Sequence, residues 1–284
     1  MNIFSKPIIL AFFIGAILAF SCESAEKEKA GKVKVAKTQT ERLTTIADAI
    51  PAPSVIPQMV KSTGVAYQSD LINDISKSTE YTSSTTKAAI NLGIYAVDVA
   101  YLSLYDRSNE ALTYMNASVK MTESIGFSSA LDYNMIDRFE KNLNSQDSLS
   151  HIVNDAIGNA DAYFVKTSRK SLAALMLGGA FIEGLYISTE TINRMPTGKE
   201  VPELINVMLK QEQAIIELVE LLDQVEKDDW TIALTNSLEQ IKTSYSRLEY
   251  KDLPESQVSM KVPTDRSLHL LFRQIHAVRN NFVR

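Results

Sequence analysis

Cysteine is almost missing from this 284-residue chain, Cys22 being the one thiol. A lone thiol can close no intramolecular disulfide, and a structural zinc site would need several such ligands. Histidine is nearly as scarce. His151, His269 and His276 are the three, none in Glu-x-x-His or His-Glu-x-x-His spacing, so no metal site is expected. Gly-x-Ser-x-Gly, a Gly-rich phosphate loop, a heme-attachment motif and a dinucleotide fingerprint are absent too. Gly178-Gly179 falls inside a helical pattern and lacks the strand that a nucleotide motif needs before it; such a pair is expected to let another helix approach closely. The sequence therefore points to no catalytic residue and no cofactor. Basic charge is also in deficit: 29 Lys and Arg stand against 34 Asp and Glu, a net −5. No overall field exists to draw in nucleic acid, which is not expected as a partner.

What the chain does have begins at its N-terminus. Lys6 precedes an apolar run of about 13 residues from Ile8 to Phe20, too short to span a bilayer comfortably and right for the apolar core of a signal peptide. The run ends in Leu18-Ala19-Phe20-Ser21-Cys22, a segment that resembles the lipobox of bacterial lipoprotein precursors. In that family a small residue precedes a cysteine that is acylated and becomes the mature N-terminus. Ala19 and Phe20 depart from its commonest form, which has Leu and a small residue there. The resemblance implies a signal peptide over 1–21, a lipidated Cys22, and a membrane as the first partner. The stretch Glu23 to Lys37, ESAEKEKAGKVKVAK, is too charged to fold alone and reads as a tether over 22–37. An all-α domain is expected over 38–284. The chain is thus similar to the helical envelope lipoproteins of Gram-negative bacteria, whose roles are unestablished. That likeness implies a place in the cell envelope, outer membrane rather than inner, with the domain outside the cytoplasm and an envelope protein as a further partner.

Beyond the tether, apolar residues recur every three or four positions and long strict alternation is missing, which predicts helices and no sheet. The helices are expected at 40–50, 57–76, 84–106, 109–125, 129–144, 147–167, 169–194, 201–227, 229–248 and 265–282. This makes one bundle-like domain of about nine or ten helices. Gly126 is placed to take a left-handed cap, while Pro51-Ala52-Pro53 and Pro254 to Pro263 should be loops. Segments 88–105 and 172–187 are apolar nearly all round, the mark of central helices. Helix 201–227 instead has one stripe, including Val201, Leu204, Met208, Ile215, Leu218 and Leu222. Asn91-Leu92-Gly93, Glu110-Ala111-Leu112 and Ala117 onward resemble one tetratricopeptide unit over about 40 residues, but no second copy follows at a fixed period.

Two carboxylates stand out of place. Asp98 lies within the apolar run of 90–105, on one helical stripe with Asn91, Tyr95 and Tyr105, and Glu183 lies within 172–187, aligned with Gly179, Tyr186 and Glu190. A buried carboxylate needs partners, so each is expected to meet a hydroxyl, an amide or a cation. Two readings remain open: core groups that fix helix register, through Tyr or Arg, or a ligand pocket or acid/base pair near Asp98, Tyr95 and Glu183. Trp230 and the tyrosines read as packing. The segment 265–282 carries Arg266, His269, Arg273, His276 and Asn280 on one stripe, and Leu268, Leu271, Phe272, Ile275 and Phe282 on another. Its apolar face should dock on the bundle. The basic surface of Arg266 and Arg273 should meet either acidic neighbours such as Glu217, Glu220 or Asp223, or anionic lipid. Functionally, the sequence favours a membrane-anchored, non-catalytic binding or structural protein over a small-ligand binder or enzyme.

Overall fold

Two long helices without a polar face must be covered on every side, and they form the centre of the molecule. The computed structural model describes residues 52, 54–126, 133–195, 201–248 and 265–284. The central pair is α3, Thr85–Leu104, and α7, Lys170–Arg194, both buried along almost their whole length. By length and hydropathy α7 could cross a bilayer, but its apolar window is wholly buried inside the bundle. Around the pair stand α1 (Val55–Ser62), α2 (Ser78–Tyr81), α4 (Ser108–Ser124), α5 (Tyr133–Lys141), α6 (Gln146–Lys166), α8 (Pro202–Leu209), α9 (Glu212–Leu222), α10 (Asp229–Ser246) and α11 (Arg266–Phe282). The architecture is all-α and bundle-like, with no strand among the described residues. The expected signal peptide, tether and helix 40–50 lie outside those residues, as do 127–132, 196–200 and 249–264.

The centre is held by backbone contact. A Cβ built on Gly93 of α3 would stand 1.9 Å from the Met176 carbonyl oxygen, and one built on Gly179 of α7 would stand 2.0 Å from that of Ile90. Each helix therefore lies in a notch of the other, at a separation that no larger residue permits. α4 and α6 pack on α3, whereas α1, α8 and α11 pack on α7, and α10 joins α9 to α11. Helix starts are set by side chains. Ser84 accepts from the Lys87 amide at 3.0 Å, Asp228 from Thr231 at 2.7 Å and Asp265 from Leu268 at 2.8 Å, caps worth about 1 kcal/mol each. Gly126 closes α4 with φ +73°, the left-handed cap expected of it.

Two helices are shorter than their periodicity predicts. The helix expected over 57–76 stops at Ser62, because Gly64 turns the chain at φ +76°. After it the chain crosses the bundle as a loop with single 3-10 turns at Ser69–Leu71 and Ile75–Lys77. The helix expected over 201–227 is two helices that break at Lys210-Gln211. At the break the Met208 carbonyl accepts the Gln211 amide at 3.2 Å and the buried Tyr245 hydroxyl at 2.8 Å, in place of the amide four residues on, and the ladder is interrupted there. The α3–α4 pair is the helical hairpin that the tetratricopeptide likeness implied, but α3 goes on to pack against α7 and α6 as a core helix.

Candidate functional site

Asp98 lies five residues beyond Gly93 on α3, and Glu183 lies four beyond Gly179 on α7. The glycine contact thus brings two carboxyl groups to one depth of the core, where both are fully buried. Arg279 of α11 answers Glu183. Its Nε and Nη2 donate to Oε2 and Oε1, both at 2.9 Å, in the two-pronged geometry of a strong ion pair. The guanidinium is itself buried and stacks 4.6 Å from the Tyr186 ring, one turn along α7 from Glu183.

Asp98 has no cation of its own. Its Oδ2 accepts the Asn73 amide at 3.2 Å, while Oδ1 has no donor among the described residues. Burial, and then the negative charge of Glu183, push the Asp98 pKa well above the ordinary carboxyl range. That direction favours the protonated form of Asp98, which adds no charge to the Glu183–Arg279 pair.

Asn73, on the loop where a helix was expected, is spent completely on this network. Its amide meets Asp98, its carbonyl accepts from Tyr114, its Oδ1 accepts from Tyr81 at 3.0 Å, and its Nδ2 lies 3.5 Å from Asn91 Oδ1. The same cluster receives the end of α11. Asn91 donates to the Phe282 carbonyl at 3.1 Å and Lys77 to that of Val283 at 3.0 Å. Carbonyls that have no partner within the helix are satisfied in this way. Loop, central helices and C-terminal helix are closed by one set of bonds.

Of the residues singled out in the sequence, Asp98 and Glu183 come together. Tyr95 stands beside them without bonding to either. Its hydroxyl reaches the Asp74 carbonyl at 3.3 Å, its ring packs on Tyr114 at 5.0 Å, and burial pushes its pKa up. Tyr105 bonds the Val65 carbonyl instead, and Trp230 packs at 5.8 Å on Phe282. Arg266 and Arg273 are exposed, and neither has an ion pair among the described residues. One acidic neighbour that the basic side of α11 meets is Glu190, 3.1 Å from His276. Asp223 pairs with Lys227 and Glu217 accepts from Gln213. Two members of the network were missed. Arg279 falls on the buried stripe with Leu268, Phe272, Ile275 and Phe282, the same out-of-place charge that marked Asp98. Asn73 had no signal, because its segment reads as helix.

Two clefts, each with a volume of only about 20 Å³, lie elsewhere. One, partly open to solvent, is lined by Ile56, Val97, Phe181, Leu185, Met208 and Gln211 among others. A second is lined by residues that include Leu92, Met115, Val153 and Ile157. Neither has Asp98 or Glu183 in its wall. Among the described residues no three His, Cys, Asp or Glu side chains converge as metal ligands. Set against known proteins, the chain matches no family model, no curated protein and no solved structure.

Proposed function

We propose that this protein is a lipoprotein of the bacterial cell envelope, anchored through Cys22, whose helical domain has a non-catalytic structural or binding role. The observation that carries the address is the lone cysteine placed directly behind a short apolar run, with Ser21 before it. What supports a structural role for the acid pair is its closure. Asp98, Glu183 and Arg279 are buried together, Glu183 and Arg279 form an ion pair, and their bonds tie three parts of the fold to one another. A substrate would have to displace that network before reaching either carboxyl. Two adjoining buried carboxyls, one with a raised pKa, would suit acid/base chemistry if they were open, and no cleft described above reaches them.

Membrane partition tests the anchor. A Cys22→Ala variant should lose its acyl chains, each of which contributes about 0.8 kcal/mol per buried methylene, and should appear in the soluble fraction or stall as a precursor. A processed variant that still fractionates with membranes would refute the proposal.

A further inference from the structure

The inward side of α11 is fully used. Leu268, Leu271, Phe272, Ile275, Val278, Arg279 and Phe282 are buried against the bundle. The outward side is a single row at three- and four-residue steps, Arg266, Leu270, Arg273, Ala277, Asn281 and then Arg284, and every member is exposed. No acidic residue occurs from Arg266 to Arg284, in a chain whose net charge is −5. Leu270 is 45% exposed, one of two large apolar side chains so exposed among the described residues, and it sits one turn from both Arg266 and Arg273. Arg266 occupies the first position of the helix, next to the capping Asp265. The macrodipole disfavours a cation there, so helix stability does not account for the placement.

We propose that this row is the surface by which the domain lies against an anionic lipid headgroup layer, with Leu270 entering the interface and Arg266, Arg273 and Arg284 meeting phosphates. Guanidinium groups bind phosphate in a two-pronged geometry while their stems lie along apolar surface. An apolar side chain flanked by arginines along one face of a helix about 25 Å long suits a flat headgroup layer better than it suits a protein pocket. The signs are complementary, and the occupant is close at hand. This part rests on the anchor reading: a tether over 22–37 reaches about 50 Å at full extension and holds the domain at high effective concentration beside the lipid. Three arginines, each contributing about fivefold to partitioning, bind weakly in free solution and effectively once tethered.

The test uses the mature acylated protein in vesicles of phosphatidylcholine alone or with phosphatidylglycerol. Leu270→Cys is then the one free thiol, and an environment-sensitive fluorophore on it reports contact with nitroxide-bearing lipid. Ile232→Cys on α10, with the same 45% exposure, is the control. The expected result is quenching at position 270 and not at 232, in anionic vesicles alone. It should fall by about twenty-five-fold in partitioning when Arg266 and Arg273 become Gln, and be lost at about 0.5 M salt, where charge is screened within a few ångströms. Absence of quenching, equal quenching at both positions, or insensitivity to salt and to the Gln substitutions overturns the proposal. Loss of a crosslinked acidic envelope protein in the Gln variants, without quenching, assigns the row to a protein and overturns it as well. A second labelled thiol at Cys22 would refute the anchor separately. Flotation of the chain with anionic but not neutral vesicles would then still decide the lipid surface.

Discussion

Replacing Asp98 with Asn removes the titrating proton whose retention the raised pKa favours. The amide side chain of the Asp98→Asn variant would match the shape of the neutral acid: its oxygen can accept the Asn73 amide now held at 3.2 Å, and it carries no titratable proton. In the native protein the Asp98 pKa is raised by burial and by Glu183, whereas in the unfolded chain it is about 3.9. The folded state thus binds the extra proton. Its contribution to stability is fully present below about pH 4, is withdrawn as pH rises toward the folded value, and is gone above it. Within that window each pH unit costs about 1.4 kcal/mol. Asp98→Asn carries no such cost, so the variant should gain on the native protein steadily from about pH 4 upward. Asp98→Ala, in contrast, strands the Asn73 amide and empties a buried site, which should leave it about 2–4 kcal/mol less stable than Asp98→Asn at every pH. Urea unfolding of the three proteins between pH 4 and pH 9 measures the difference. Parallel curves for native protein and Asp98→Asn, or an Asn variant as weak as the Ala one, would refute a protonated Asp98.

Two further sets of variants probe the neighbouring contacts. Glu183→Gln leaves the Arg279 charge buried without its counterion and should cost about 3–5 kcal/mol in urea unfolding, whereas Glu183→Leu combined with Arg279→Met should recover most of that loss; equal stability of the single and double variants would contradict a paired charge. Gly93→Ala and Gly179→Ala must push a methyl against a carbonyl about 2 Å away and should lower the melting temperature sharply, because the helices have to part. Gly158→Ala on α6 meets nothing within 4 Å and should stabilise by about 0.5–1 kcal/mol.

The parts of the fold that could be read in advance are those where burial leaves a mark along one segment. α3 and α7 are apolar all round, so their central place and the oddity of Asp98 and Glu183 were visible before any coordinates. Arg279 carried the same mark on the inner stripe of α11 and was overlooked in favour of the outward arginines. Other features depend on residues remote in sequence. The break at Lys210-Gln211 comes from the hydroxyl of Tyr245, 37 residues beyond Met208, and leaves no trace in the apolar period of 201–227. Asn73 matters only because the chain leaves the helix at Gly64, after which Tyr81, Asn91, Asp98 and Tyr114 each capture one of its groups. That the two carboxyls share one site follows from the Gly93–Gly179 contact. The value of Gly179 could be anticipated, but its partner could not.

The proposed anchor has the most direct test. Intact-mass and N-terminal peptide analysis of the protein from its native membranes should find no residue before Cys22, and should find Cys22 carrying acyl chains on its sulfur. A mature chain that still begins at Met1, or one cleaved elsewhere with an unmodified Cys22, would contradict the account.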